Sequence, residues 1–399
     1  MYLVKLLGNL PASLNIVVNA EQLIVVGNTC REQRQYAQAL AYYAQAFVLD
    51  HNNASAWNNY GNVIREMGYP ERAIPFLQQC LAIDPSHSTA KFNLAVAYLL
   101  MGDYDKGWQA YESRWQFEHL NGQLPEFKQP RYAGQSLEGK TILVLGEQGL
   151  GDTVQFVRYV WALKGRGANV ILVVPSQMVS MFRFTNILTN VLAFDDPLPE
   201  FDYWTPIMSL PFLFNEKLSR LLSPLQYIEP DKDLSLQWKE RFGKKVRLRV
   251  GIAWSGRRDT WINQHKSVPF DLICNLIKSN PQYQWINLQV DATFEESQKL
   301  QSLGVELYPG AITCMADTAA LIDNLDVVIA IDSLIGHLAG AMAKPTWIML
   351  NAYAVDWRWL LNRNDSPWYP SVRLFRQPSY DNWLPVIDRV AKHLDLFKV

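Results

Sequence analysis

Helix-spaced apolar positions come first along the chain, and strand-like apolar runs follow. Between residues 20 and 121 the small and bulky residues return every 34 positions, in segments 20–53, 54–87 and 88–121. The eighth position of a segment holds Gly27 and Gly61, the twentieth Ala39 and Ala73, and the fifteenth Gly68 and Gly102. Small residues at the first two positions let paired helices approach closely, while glycine at the third suits the turn between them. Tyr43, Trp57, Leu77, Tyr98 and Tyr111 supply bulk, and Pro85 follows a helix end that it cannot continue. The third segment departs with Ala95 and Gly107 at the small positions, and the first lacks a terminal proline. An all-α array of helix pairs is predicted.

From residue 122 to 139 the chain turns polar around Pro125, Pro130 and Gly134, which reads as a joint. Beyond it the apolar runs TILVLG, ANVILVVP, VLAF, LRVGIAW, WINLQ, DVVIAID and TWIML alternate with amphipathic stretches such as TVQFVRYVWALKGRG and FDLICNLIKSN. Alternation of strand and helix predicts an α/β fold with parallel sheets, and a charged stretch near 230–245 divides it into two Rossmann-like, doubly wound domains. The expected organisation is a repeat region at 1–121, a linker at 122–139, a first α/β domain at 140–240 and a second at 246–399 with a closing helix.

The first strand-to-helix turn carries GEQGLGDTVQF, Gly146 to Phe156. Its glycines are not spaced as GxGxxG and no GK[ST] follows, so neither nucleotide-binding motif is present there. Asp152, directly after the last glycine, is expected at the helix start, where its charge complements the dipole and its oxygen can cap free amides. Capping alone accounts for an aspartate there. Gly149 and Gly151, with Gln148, also leave room for a substrate to reach it. Further on, Arg241, Lys244, Lys245, Arg247, Arg249, Arg257, Arg258 and Lys266 face one acid, Asp259, which predicts an anion nearby. Strand RVGIAW runs into a loop holding Ser255, Gly256 and Lys266, and strand VVIAID ends in Asp332 and Ser333 ahead of a small-residue helix with Gly336 and His337. The amino end of that helix is suited to a diphosphate, and His337 reads either as a ligand-facing or as a buried structural histidine.

Asn59 and Asn93 share the sixth repeat position and Asn28 and Asn62 the ninth, three apart on one helical face. Such amides can hold an extended peptide backbone, or bond to neighbouring repeats. Composition narrows the classes without adding chemistry. The 399 residues are 49% hydrophobic and 19% charged, enough apolar surface for two or three domains, and a net charge of -1 argues against whole-protein attraction to nucleic acid or acidic membrane. Cys30, Cys80, Cys274 and Cys314 form no CxxC pair, and Asp195 and Asp196 precede a turn, so no metal or redox site is expected. The stretch MYLVKLLGNLPASLNIVVNA is a poor signal peptide, broken by Gly8, Asn9 and Pro11, and no transmembrane segment is expected, which together point to a cytoplasmic location.

The segments at 20–121 resemble the tetratricopeptide repeat family, AWNNYGNVIREMGYPERAIPFLQQCLAIDP most closely. GLGDTVQF, GIAWSG with HKSVP, and DSLIGHLAGAMAKP resemble the heptosyltransferase-type glycosyltransferases of family nine, whose members have the GT-B fold, and DWRWLLNRNDSPWYPSVRLFRQ resembles the repeat-bearing branch. The resemblance covers about 139–396 and implies an inverting, metal-independent transferase taking a nucleotide-diphosphate sugar as donor substrate and no further cofactor. It implies that Asp152 is the base and that Ser255, Gly256, Lys266, Asp332, Ser333, Gly336 and His337 serve the donor, with Gln289 where the family often carries an acid for the ribose. The repeats imply a protein or peptide acceptor; a glycan or lipid-linked acceptor and an inactive scaffold are the alternatives, and sugar, nucleotide and oligomeric state stay open.

Overall fold

A computed structural model describes residues 19–116, 124–183, 190–256 and 265–397. The chain divides into two compact units, residues 1–93 and 94–399. In the first, four helices form two antiparallel pairs: α1 (Ala20–Glu32) with α2 (Tyr36–Leu49), and α3 (Ala54–Glu66) with α4 (Pro70–Ile83). Asn19 and Asn53 cap α1 and α3, each accepting a backbone N–H from three residues on, at 2.9 and 3.1 Å. The eighth-position glycines have the predicted reason. A Cβ at Gly27 would lie 2.5 Å from the Tyr43 ring, and one at Gly61 3.0 Å from Leu77. The turn between paired helices is left-handed at both fifteenth positions, at φ 60° for Arg34 and 88° for Gly68.

The division falls after Asn93, inside α5 (Ser88–Met101). The second unit continues through Gly102 into a short α6 (Tyr104–Tyr111) and a 3-10 turn, Glu112–Gln116. Two parallel sheets follow. The first has the order β3–β2–β1–β4, from Thr141–Leu145 (β1), Asn169–Val174 (β2), Asn190–Ala193 (β3) and Tyr203–Pro206 (β4). The second has the order β6–β5–β7–β8–β9, from Arg249–Ala253 (β5), Gln284–Asn287 (β6), Val327–Ile331 (β7), Thr346–Leu350 (β8) and Val372–Arg376 (β9). In each sheet the strand order reverses at one point, between β1 and β4 and between β5 and β7, and ligands of open α/β sheets bind in the crevice outside such points.

Seven of these strands are the apolar runs. β4 and β9 were not anticipated, because β4 is four residues long with Pro206 at its end and β9 is broken by the exposed Arg373. The stretch TVQFVRYVWALKGRG divides at Val157 into α7 (Leu150–Phe156) and α8 (Arg158–Lys164), and the charged stretch near 230–245 contains a helix, Lys232–Phe242, capped by Asp231. The basic cluster does not gather at one site. β5 separates its members, so that Arg241, Lys245 and Arg249 lie at the amino end of the strand, where Lys245 meets Asp326 at 2.6 Å and Arg249 donates to Gln284 at 3.1 Å. Arg257, Arg258 and Asp259 lie outside the described residues, which leaves Lys266 as the cluster's described member at the carboxyl end.

Gly251, in the middle of β5, is held by close packing. A Cβ there would lie 2.6 Å from both Leu288 and Leu325, each buried. Gly251→Ala is expected to destabilise the second unit by about 1–3 kcal/mol, lowering the urea midpoint of the transition that reports it. A variant unfolding at the parent's midpoint would show that the sheet relaxes around the methyl group.

Candidate functional site

Four loops meet at the carboxyl ends of the two sheets. The first joins β1 to α7. Gly149 is the N-cap residue of α7 and has no side chain to accept a free amide, but Asp152 Oδ2, at the third helical position, accepts the Gly149 N–H at 2.7 Å. The rest of the loop is anchored from α6 and the turn after it. Fully buried Arg114 donates to both oxygens of Glu147 at 2.8 Å, Met208 N–H adds a third bond at 2.9 Å, and Gln148, at φ 58°, lies 3.2 Å from the Tyr111 hydroxyl.

The second loop follows β7. Ser333 is the N-cap residue of the helix Leu334–Ala341, and its hydroxyl is buried without a partner among the described residues. That helix begins at Leu334, two residues ahead of Gly336. A Cβ on Gly336 would lie 3.1 Å from Ile348 and 3.2 Å from the Ile331 carbonyl, so this glycine serves the packing of helix on strands. Asp332 Oδ2 accepts from Lys266 Nζ at 2.5 Å, and His337 Nε2 lies 3.8 Å from Asp332 Oδ1. The third loop, after β5, is shaped by Gln289, whose Oε1 accepts the N–H groups of Trp254 and Ser255 at 3.1 and 2.9 Å, while Ser255 and Ser267 bring their hydroxyls within 3.1 Å. Gly256 donates its N–H to Ser267 at 3.4 Å.

The fourth loop, after β8, holds the residue that joins the others. Arg358 bonds Asp152 Oδ1 through Nη2, Gln155 Oε1 through Nε at 2.5 Å, and both oxygens of Asp356 through Nη1 at 3.0 and 3.1 Å, with its guanidinium 4.2 Å from the Trp357 ring centre. The first and second loops touch directly. A Cβ on Gly151 would stand 2.9 Å from His337 Cδ2, so only glycine admits the histidine ring there. His337 Nδ1 is 2.8 Å from the Tyr369 hydroxyl, and the ring stacks on Trp359 at 5.2 Å.

Burial and charge set the protonation states. Burial pushes the Asp152 carboxyl above its usual range, against the pull of Arg358 and of the Gly149 N–H. Burial acts the same way on Asp332, but Lys266 and then His337 outweigh it and hold that carboxyl at about 2. Lys266, penalised by burial, is kept charged by Asp332 and Asp356. His337 is driven down to about 4, chiefly by burial, and is neutral at physiological pH. The arrangement thus offers one carboxylate of raised basicity, 18% exposed, and across from it a cation beside the amino end of a helix. Asp152, Lys266, Asp332, Ser333 and His337 are brought together, and Gln289, Ser255 and Gly256 form an adjoining turn. Arg358, Asp356, Tyr369, Arg114 and Tyr111 were missed. Arg358 stands 206 positions from Asp152, and local spacing does not report such a pairing. Asp196 accepts the Ala193 N–H at 2.8 Å as a turn cap, and no group of three or more His, Cys, Asp or Glu that could hold a metal ion occurs among the described residues.

In the first unit the amides bond to one another. Asn93 donates to Asn58 at 3.0 Å, Asn58 to Asn59 at 2.9 Å, and Asn59 to Asn28 at 3.0 Å, where the Tyr43 hydroxyl also donates. Asn62 does not join this line; it donates to buried Glu66 at 3.2 Å and accepts from Arg65. The ladder has an unused carbonyl at Asn93 and an unused amino group at Asn28 among the described residues.

A family model described as a tetratricopeptide repeat matches residues 65–110. Protein FlbA of Caulobacter vibrioides is 27% identical over 431 residues, spanning 91% of this chain and 71% of that protein. Among solved structures, E. coli ADP-heptose LPS heptosyltransferase II is similar over 64% of this chain and 98% of its own, at 13% identity and a TM-score of 0.46. A glycosyl transferase of family 9 from Veillonella parvula is similar over 67% and 92%, at 10% identity and 0.47. The tetratricopeptide match thus lies ahead of the two parallel sheets. No helix among the described residues is long and apolar enough to cross a membrane.

The state of His337 gives a stability prediction. The unfolded chain takes up a proton near pH 6.5 that the folded site refuses until about 4, so stability is complete above 6.5 and falls as the pH drops through that window. The loss is about 3 kcal/mol. His337→Gln, which keeps a polar partner for Tyr369, is expected to flatten the decline in urea titrations between pH 6.5 and 4. An unchanged pH dependence in that variant would mean that His337 is protonated in the folded site.

Proposed function

We propose that the protein is an inverting, metal-independent glycosyltransferase with a GT-B arrangement, moving a sugar from a nucleotide-diphosphate donor to a hydroxyl of a protein or peptide acceptor docked by the repeats. The observation that carries the reading is the contact of Gly151 with His337, because it packs the loop that bears Asp152 against the loop that bears the Asp332–Lys266 pair. Each Asp152 oxygen has one hydrogen bond and keeps a further lone pair. The acceptor O–H gives its proton to that carboxylate, its oxygen attacks the anomeric carbon from the face opposite the phosphate, and the bond from carbon to phosphate oxygen breaks, releasing the nucleoside diphosphate with the electron pair. Raised basicity of Asp152 favours the proton transfer. The charge that develops on the diphosphate is met by Lys266 and by the amino end of the helix Leu334–Ala341, where the buried Ser333 hydroxyl has a bond to spare.

In this reading Gln289 supports the turn at Ser255 and Gly256 under the donor, Gly336 lets the helix sit low on the sheet, and neutral His337 keeps Asp332 in place without adding charge. The match to a tetratricopeptide repeat and the unused ends of the asparagine ladder support peptide docking at Asn28, Asn59 and Asn93. The family-nine likeness agrees with a sugar nucleotide as donor and leaves its base and sugar open.

Asp152→Asn tests the chemistry. Asparagine offers one oxygen where the carboxylate gives one each to the Gly149 N–H and to Arg358, so stability should fall, by up to about 3–5 kcal/mol, and turnover, compared where circular dichroism shows both proteins folded, should slow by about two to four orders of magnitude. The readout is release of nucleoside diphosphate by the full chain, with water taking the acceptor's place where necessary. Turnover within about threefold of the parent would end the assignment.

A further inference from the structure

Arg358 is gripped from two sides. On the helix side its Nε donates to Gln155 Oε1 at 2.5 Å and its Nη2 to Asp152, and these two residues stand three apart on one face of α7. The guanidinium cannot leave Asp152 without also leaving fully buried Gln155. On the loop side Asp356 takes Nη1 with both oxygens, and its Oδ1 also accepts the Arg358 backbone N–H at 2.9 Å, so one carboxylate aligns both the turn and the fork that grows from it. The Arg358 side chain is 6% exposed, against 26% for Asp356. A cation so deeply placed is little screened by salt, and its charge is divided between the two carboxylates it touches. The other titratable groups facing Asp152 add no free cation. Asp332, from the loop after β7, is spent on Lys266 at 2.5 Å; His337, which touches Gly151, is neutral; and burial keeps Tyr111 of α6 neutral as well.

We propose that Arg358 is a positioning residue for the base and that Asp356 is its counterweight: the guanidinium fixes the Asp152 carboxylate in one orientation and keeps it ionised, while Asp356 sets the share of positive charge that Asp152 receives. The inference rests on the reading of Asp152 as base and names two residues that act through it. A carboxyl this buried with no cation beside it would hold its own proton, and one with a whole guanidinium to itself would be a weak base. Two carboxylates on one guanidinium give the useful middle state. Burial pushes Asp152 up, Arg358 and then the Gly149 N–H pull it down, and the charge of Asp356 pushes it up again. Asp152 is thereby ionised and still more basic than an exposed aspartate, as a group that takes a proton from a hydroxyl needs to be.

The test is an NMR titration of the full chain labelled with carbon-13 at its aspartate carboxyls, the Asp152 signal being the one absent from Asp152→Asn. Arg358→Gln, which removes the cation, should raise the Asp152 midpoint by about one to three pH units, the usual effect of an opposite charge beside a carboxylate. Asp356→Asn, which keeps an oxygen for the turn, should lower it. Arg358→Lys keeps the charge without the fork and should titrate between the parent and the glutamine variant. A merely structural role predicts another pattern, because a loosened site admits water and lowers a carboxyl that burial had raised, in all three variants alike. A midpoint that falls or stays in Arg358→Gln, or that stays or rises in Asp356→Asn, would overturn the proposal. Should Arg358→Gln fail to fold, Arg358→Lys decides, a midpoint below the parent's counting against. The titration needs no sugar nucleotide. Unmoved midpoints with an inactive Asp152→Asn protein remove the pair and leave the base, whereas the expected shifts with an active Asp152→Asn protein remove the base and leave the pair.

Discussion

A single buried guanidinium holds the candidate site together. Arg358 is 5% exposed and spends its donors on Asp152, Gln155 and Asp356, which belong to the glycine-loop helix of the first sheet and to the loop after β8 in the second. Such an ion is costly to bury, and its hydrogen bonds and carboxylates offset that cost only in well-formed geometry. Removing one partner leaves the other charge stranded, typically at about 3–5 kcal/mol. The position of the carboxylate is therefore tied to the folding of the second sheet, although Asp152 lies on the first. The stack of Trp357 beneath the guanidinium and the Gly151–His337 contact limit the same approach from two sides.

Charge around this crevice is arranged in opposed pairs rather than in a basic field. Lys266 is spent on Asp332 in the structure described, yet an ammonium has three donors, and a diphosphate can share Nζ without displacing the aspartate. Asp332 then tempers the cation, and neutral His337, backed by Tyr369, closes the pair off from solvent.

Much of this was legible along the chain. Seven strands announced themselves as apolar runs, the 34-residue period announced the helix pairs, and GLGD and DSLIGH marked the two loops that meet. What escaped depended on distance or on shortness. Arg358 is as plain as any arginine in DWRW, and its partner lies in another sheet. β4 and β9 have too few alternating apolar positions to stand out. The basic run from Arg241 to Lys266 is contiguous in sequence but passes through β5, which carries its two parts to opposite ends of the strand. Tyr111 read as repeat packing, yet it reaches Gln148 while Arg114 clamps Glu147, roles that only the fold assigns.

The central claim is that the loops after β5 and β7 bind the diphosphate of a sugar nucleotide through Lys266. Calorimetric titration of the full chain with ADP-, GDP-, UDP- and dTDP-sugars measures it most directly. The account predicts that at least one donor binds, and that Lys266→Ala weakens it by about 1.5–3 kcal/mol, the range of a charge-assisted hydrogen bond, with the fold intact. Binding of a donor with equal affinity by parent and variant, or binding of none, would contradict it.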